Sequence, residues 1–434
     1  MIKRIEALYY RSLRYIKQPV ENFQVLVGPN SSGKSSFLDV VTFLGDMLRV
    51  GPTKAILGDS RAGVTQRAPD PTHLVWMREG NRFELAIEFG IPEDRAKILT
   101  QQNKPEDLPV GGYSICRYEV AIGIKEHGDV ELIDERMSLH GEQKLEPSQH
   151  ELFPSPPRPP KSIIAPTRKS HDSRRKTIVR KVSSSGNDNY YSEIPGWNLT
   201  FRLGPTNSAL ANLPDDEMKF PVATWIKHTL MEGVQRIALS SDAMRRPSPP
   251  SAPKTLLPDG SNLPWVVANL EKENPKAFRS WIEHLRTALP DLKTIRIVKR
   301  PEDLHSYLVL VNNNGLEVPS WVISDGTLRL LALTLLAYVP GLQGVVLIEE
   351  PENGIHPRAI ETVYQSLSSV YSAQILCATH SPLIVALTKA ESLLCFARDD
   401  AGATDIVRGS DHPGIRKWKG EIDLGTYFAS GVLG

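Results

Sequence analysis

The sequence predicts an α/β fold, and two stretches carry that prediction. A short apolar run, "FQVLV" at 23–27, passes through a glycine-containing turn into "SSFLDVVTFLGDML", whose apolar residues recur at helical spacing. The alternation returns near the other end, with a helical pattern over 327–338, an apolar strand at 345–349, a helix opened by Pro357 and the strand "AQILCAT" at 373–379. With 434 residues and 40% hydrophobic content, the chain has apolar material for two lobes or domains.

The remaining elements follow in order. Residues 1–27 read as strands, 51–71 as loop, and "FELAIEFG" at 83–90 as a strand of alternating character. A long polar region comes next, and from 151 to 189 the chain is rich in Pro, Ser and basic residues, which predicts an exposed loop or flexible hairpin. A second punctuated stretch at 245–264 precedes the helical patterns "WVVANLEKE" and "FRSWIEHLRTAL". The expected organisation is a head in two pieces, 1–90 and 257–385, interrupted by an insertion over 91–256 and followed by an extension over 386–434. The insertion would hold the basic loop and part of a largely helical lobe. No fixed-period repeat is visible.

Composition removes several function classes. Lys and Arg total 51 against 50 Asp and Glu, so no global charge points to nucleic acid or membrane. Cys116, Cys377 and Cys395 are an odd number without paired metal-ligand spacing, which argues against a disulfide framework or zinc site and suits a reducing cytoplasm. The N-terminus lacks the continuous apolar run of a signal peptide. The most apolar stretch, Leu328 to Ile348, is interrupted by Arg329, Pro340 and Gly341, so no membrane span is expected.

Four motifs carry chemistry. "GPNSSGKS", Gly28 to Ser35, fits G-x-x-x-x-G-K-[ST] between a strand and a helix. In that context the backbone N–H groups of Gly28, Pro29's successors Asn30, Ser31 and Ser32, and Gly33 curl around phosphate oxygens, with Ser36 continuing the helix start. Lys34 then reaches the β- and γ-phosphates of ATP, and Ser35 ligates Mg²⁺. "VVLIEE" ends an apolar strand in two acids: Glu349 suits the metal, through a bound water, and Glu350 the attacking water. "ATHSP" places His380 directly after a strand, where it can sense a γ-phosphate or serve as a structural histidine. In "VISDGTLRLLAL", Ser324, Asp325, Gly326 and Thr327 open an apolar helix, either as an anion site or as an ordinary cap.

In their order, P-loop, "SDGT", "EEPENGIHP" and "ATHSP" resemble the ABC-type ATPase heads of the RecF and structural-maintenance-of-chromosomes class, over about residues 1–90 and 255–385. Stand-alone RecF-like bacterial AAA ATPases are the nearest likeness. The resemblance implies an ABC-type P-loop head that dimerises, with Ser324, Asp325, Gly326 and Thr327 acting on the nucleotide of the second copy. It also implies that "PENGIHP" crosses the dimer interface through Glu352, Asn353 and His356. Gln66 is the one nearby candidate for a glutamine that links nucleotide to the second lobe. Arg11 would lie near the nucleotide or face solvent, and Arg329 would reach phosphate or make a surface pair.

No sustained heptads accompany the insertion, and only some fifty residues follow "ATHSP", so neither a coiled-coil arm nor a fused nuclease is expected. The expected function is a cytoplasmic, ATP-hydrolysing homodimeric switch acting on a separately encoded nuclease or toxin in anti-phage or mobile-element defence. The alternative is a RecF-like repair or replication factor that clamps duplex DNA. The run Arg158, Lys161, Arg168, Lys169, Arg174, Arg175, Lys176, Arg180 and Lys181 would then contact the phosphate backbone, or else form a solvated loop.

Overall fold

The computed structural model describes residues 1–141, 158–165, 175–182, 186–196, 198–416, 423–431 and 433. Of the basic run, Arg168, Lys169 and Arg174 lie outside these residues. The chain forms two compact units, one made of Met1–Glu21, Pro29–Val234 and Phe396–Val407, the other of Asn22–Gly28, Gln235–Cys395 and Arg408–Gly434. The partition runs through the glycine-containing loop itself.

In chain order the strands are β1 (Ile2–Tyr10), β2 (Leu13–Pro19), β3 (Phe23–Val27), β4 (Arg82–Gly90), β5 (Tyr113–Ile124), β6 (Val130–Gly141), β7 (Arg175–Val182), β8 (Asp188–Tyr191) and β9 (Asn198–Phe201). They continue with β10 (Val234–Ile237), β11 (Leu292–Lys299), β12 (Ser306–Asn312), β13 (Glu317–Pro319), β14 (Val345–Glu349), β15 (Gln374–Ala378), β16 (Leu393–Arg398) and β17 (Thr404–Arg408). The α-helices among the described residues are α1 (Lys34–Val50), α2 (Pro52–Leu57), α3 (Glu93–Gln102), α4 (Pro221–Met231), α5 (Ser241–Arg245), α6 (Leu263–Glu273), α7 (Pro275–Arg286), α8 (Asp325–Leu335), α9 (Pro357–Ser368), α10 (Pro382–Leu387), α11 (Pro413–Arg416) and α12 (Leu424–Ala429).

The first unit is built on an eight-stranded antiparallel sheet in the order β2-β1-β4-β5-β6-β7-β8-β9. One face is apolar and buried, with Ile5, Leu85, Ile87, Val120 and Met137. On this side Phe43 of α1 meets Phe83 with ring centroids 5.7 Å apart. Helix α4 lies so close to α1 that a Cβ added at Gly45 would stand 2.3 Å from the Leu230 carbonyl. The other face carries buried charge, with Glu6, Glu119 and Arg136 in one register row that Ala86 interrupts between Glu6 and Glu119.

This sheet corrects the expected insertion. Among the described residues of 91–256 strand outweighs helix, with β5 to β10 and only the short helices α3, α4 and α5. The supposed basic loop includes β7 and β8. Buried charges at Arg117, Glu119 and Arg136 on the charged face, and at Glu135 on the opposite one, break the apolar alternation by which a half-buried strand is recognised. Several basic residues are turned to structural use. Lys181 pairs with Asp188 at 2.8 Å, Lys176 donates to the Glu193 carbonyl at 2.7 Å, and Arg175 lies 3.7 Å from Glu119.

The second unit contains the parallel core. Strands β14, β15, β3 and β16 are adjacent in that order and pair in parallel. Their residues Val345–Ile348, Gln374–Ala378 and Gln24–Val27 are all buried, as strands covered on both faces must be. The expected helices at 263–273 and 275–286 form as α6 and α7. Trp281 of α7 is fully buried and donates its indole N–H to Thr334 of α8 at 2.9 Å. A three-stranded antiparallel sheet, β11-β12-β13, completes this unit.

Candidate functional site

Three neighbouring parallel strands of the second unit end at one sheet edge. Glu349 is in register with Ala378, and Ala378 with Leu26. The ladder extends one step further, since Glu350 N–H donates to Ala378 O at 2.7 Å and Thr379 N–H to Leu26 O at 3.0 Å. Strand β3 therefore delivers Gly28, β15 delivers Thr379 and His380, and β14 delivers Glu349 and Glu350 to the same carboxyl-end edge. Parallel α/β sheets bind ligands at that edge, where strand ends and loops converge.

Glu350 sits in the left-handed region with φ 50°. An L-residue pays roughly 1–2 kcal/mol for that conformation. Asn353 restrains it, donating its backbone N–H to Glu350 O at 3.0 Å and its amide to the Glu350 carboxylate. Glu349 is paired with Arg236 at 2.7 Å. Glu352, expected to face a second copy, is engaged within its own chain, accepting from the Thr379 hydroxyl at 2.7 Å and from His380 N–H at 2.9 Å. Its other oxygen is buried without a donor. His356 caps α9, its Nδ1 accepting from Arg358 N–H at 3.2 Å.

The "SDGT" segment opens α8. Ser324 is its N-cap, accepting from Thr327 N–H at 3.3 Å, and the two hydroxyls lie 2.9 Å apart. Asp325 pairs with Arg245. Gly326 has a steric reason: a Cβ there would stand 2.2 Å from the carbonyl oxygen of Gly354, so the helix start and the "PENG" loop touch through backbone. Arg329 donates to the Leu239 carbonyl at 3.3 Å.

Pro29 to Ser36 belong to the first unit. The loop turns through left-handed backbone at Ser31 and Gly33, φ 62° and 107°. Pro29, Asn30, Ser31 and Ser35 are exposed, whereas Ser32, Gly33 and Lys34 are buried. Lys34 Nζ donates to the Pro29 carbonyl at 2.9 Å. Residues that the sequence does not signal hold this loop in place. Arg398 donates to the Ser31 carbonyl at 2.7 Å, and Thr404, Ser12 and Ser36 form a hydroxyl chain at 3.0 and 3.2 Å. A Cβ at Gly33 would lie 2.1 Å from Thr404 Oγ1. No spacing rule links Thr404 to Gly33, because β17 reaches the loop only through tertiary structure.

Behind the loop, Asp39 of α1 gathers Arg67 at 2.8 Å and Arg11 at 3.1 Å. Burial pushes the Asp39 carboxyl up, but the two guanidinium groups outweigh it and hold its pKa below the usual range. Arg67 also reaches Asp46 at 2.7 Å. Gln66 is exposed on the neighbouring loop, whereas Arg67 beside it is the residue bound into the helix. Arg11, Ser36, Arg67, His73 and Arg78 line a cavity of about 470 Å³, a basic recess at the first turn of α1. Among the described residues no group of three or more His, Cys, Asp or Glu side chains is placed to hold a metal ion, and no helix is long and apolar enough to cross a membrane.

Fold and motif order define a mixed α/β protein of the AAA-type ATPase class. Residues 143–386, more than half of the chain, match the model of the family described as AAA domain, putative AbiEii toxin, Type IV TA system, and the chain belongs to that family. The matched span contains the acidic strand, Ser324–Thr327 and His380, and begins after the P-loop. A curated relative, the Retron Vc95 probable ATPase of Vibrio cholerae serotype O1 biovar El Tor, is 27% identical over 124 residues. Those residues are 26% of this chain and 23% of the relative, so the chain spans about a quarter of the length of the curated relative it matches. Among solved structures, a Smc head bound to the C-winged helix domain of ScpA is 13% identical with TM-score 0.49, covering 94% of this chain and 96% of that one. A Smc head with an extended coiled coil, bound to the C-terminal domain of ScpA derived from Pyrococcus furiosus, is 12% identical with TM-score 0.47, covering 94% and 95%.

Proposed function

We propose that the chain is an ATP-binding and ATP-hydrolysing switch that works as a homodimer. The observation that carries this reading is the convergence of Gly28, Glu349, Glu350 and His380 on the carboxyl ends of three adjacent parallel strands. Phosphate oxygens take the P-loop N–H groups and the N-terminus of α1, and Lys34 exchanges the Pro29 carbonyl for the β- and γ-phosphates. Mg²⁺ suits Ser35 and Glu349, since this cation takes few protein oxygens besides substrate phosphates and neutralises the charge of the transferred group. Glu350 accepts the proton of the attacking water, and His380 reads the γ-phosphate. Ser324, Asp325, Gly326 and Thr327 serve the nucleotide of the second copy from a helix start at which Ser324 is exposed.

The family description and the retron relative support a role beside a separately encoded toxin or nuclease in defence, in the cytoplasm. Duplex DNA binding through the basic run has less support, because Lys176 and Lys181 are held by internal partners. The test is a comparison of wild type with Glu350→Gln in Mg-ATP. Hydrolysis is expected to fall at least a hundredfold while ATP binding persists and solution mass doubles. Normal hydrolysis by the variant would remove Glu350 from the role of base.

A further inference from the structure

The two acids at the end of β14 are held in different ways. Glu350 is restrained from its own loop, by the Asn353 amide. Glu349 is met from the neighbouring strand by a cation. The strand order β10-β14-β15-β3-β16-β17 puts β10 beside β14, and Arg236 of β10 donates from Nη2 to Glu349 Oε1 at 2.7 Å. The Arg236 side chain is 57% exposed and that of Glu349 26%, and an ion pair this open contributes little to stability. Among the described residues, Glu349 is the one side-chain partner of Arg236. The guanidinium thus makes a single contact, with the carboxylate proposed above for the metal.

A glutamate at this place has one more side-chain torsion than the aspartate that commonly serves the metal of P-loop proteins, so its carboxylate has more freedom to turn away. A carboxylate offers two oxygens and about four lone-pair positions, and a guanidinium on Oε1 fixes the group while leaving acceptor capacity for a hydrated cation. Carboxylates that ligate metals are regularly oriented by such outer-shell donors. The donor chemistry fits Mg²⁺, which takes one or two carboxylates and keeps several waters, and Glu349 already accepts a cationic group at the sheet edge.

We propose that Arg236 is a positioning residue for the reaction: by holding Glu349 through Oε1 it presents the rest of that carboxylate to the water shell of Mg²⁺. The inference rests on the metal role proposed for Glu349. A guanidinium also repels a divalent cation, which acts in the opposite direction. Solvent and salt screen that repulsion at an exposed arginine, whereas the hydrogen bond acts at contact, so positioning outweighs it. The two effects predict opposite signs for the change in Mg²⁺ affinity when Arg236 is removed.

The test titrates the full chain with a fluorescent ATP analogue at a series of free Mg²⁺ concentrations. Its readout is the midpoint, the Mg²⁺ concentration at which the gain in affinity for the analogue is half complete, and melting curves on the same preparations check folding. The midpoint should rise at least tenfold in Glu349→Gln. In Arg236→Ala it should rise about tenfold, the lower end of what loss of an outer-shell partner costs, and in Arg236→Lys by less, since the ammonium keeps a donor and the charge. Added to Glu349→Gln, Arg236→Ala should change nothing further, because Arg236 acts through Glu349. Should the alanine variant melt early, Arg236→Gln replaces it, with the same rise expected and the same outcomes decisive. No binding to wild type, or an unchanged midpoint in Glu349→Gln, removes the underlying reading and the inference with it. A midpoint that moves in Glu349→Gln but stays or falls in Arg236→Ala overturns the inference alone. So does an equal shift from Arg236→Ala on both backgrounds, which would place its action elsewhere than on Glu349.

Discussion

The Glu352 carboxylate accepts the backbone N–H of His380 at 2.9 Å and, on the same oxygen, the Thr379 hydroxyl at 2.7 Å. The loop after β14 thereby holds the loop after β15. Glu352→Ala leaves two donors without an acceptor, a loss of about 1–3 kcal/mol. Glu352→Gln keeps a carbonyl acceptor and removes the charge of an oxygen that has no donor. The melting temperature should fall in the alanine variant and stay near wild type in the glutamine one, with ATP turnover following the same order. An alanine variant as stable as wild type would show that Glu352 does not fix the His380 segment.

Glu350 combines a proposed reactive role with a strained backbone, φ 50°, and the two respond oppositely to glycine. Replacement by Gly removes the left-handed penalty of roughly 1 kcal/mol, so thermal stability should hold or rise slightly. Turnover should drop by a factor on the order of 10² or more, as loss of a general base does. Thermal melts and steady-state hydrolysis on one preparation check both halves. A clear fall in melting temperature would mean that the Asn353 contacts contribute more than the strain.

Gly326 is expected to tolerate no side chain. In Gly326→Ala the new Cβ meets the backbone oxygen of Gly354, which cannot rotate away, and overpacking of this kind costs about 1–3 kcal/mol. The clash pushes the start of α8 from the "PENG" loop, so stability and hydrolysis should fall together. Denaturant melts with parallel activity assays measure this, and a variant that loses activity at unchanged stability would place the glycine's importance in ligand contact alone.

These residues also show what sequence pattern reveals and where it stops. The parallel core was legible because β14 and β15 are buried on both faces, which leaves short apolar runs bounded by loops. The strand, glycine loop and helix at 23–50 and the strand that ends at Glu349 were legible because each is marked by local spacing alone. Strands β5 to β7 were not, since the buried ion-pair lattice of Arg117, Glu119 and Arg136 puts charge where a pattern reader expects solvent. Arg398, Thr404 and Arg236 were equally hidden: each meets its partner across more than a hundred residues, and no local signal marks such a contact.

Glu193 gives a pH dependence. Burial pushes its carboxyl up to about 7, although the N–H groups of Val222 and Ala223 at the start of α4 oppose the rise. A carboxyl raised in the folded state contributes stability that is complete below its unfolded pKa, about 4.3, and is lost as pH climbs through the folded value. Wild type should therefore lose melting temperature relative to Glu193→Gln between about pH 4.5 and 7, with the difference level above and below that window. A constant difference across the range would assign Glu193 an ordinary pKa.

Arg398 offers the most direct check on the loop proposed to bind phosphate. Its Nε donates to the Ser31 carbonyl at 2.7 Å, and Ser31 holds the left-handed φ of 62° that turns the next N–H groups inward. Removing the guanidinium frees that carbonyl to rotate, so the loop must be ordered by the nucleotide. The contact is exposed, which limits its worth to about 1 kcal/mol, or roughly fivefold in affinity. In Arg398→Ala the KM and Kd for ATP should rise about that much while kcat holds, because the group orders the loop before chemistry and touches no reacting atom. Arg398→Lys should restore only part of the affinity, since a lysine presents its donors from a single flexible point. A fall in kcat at unchanged KM would instead place Arg398 among the groups acting in the transition state.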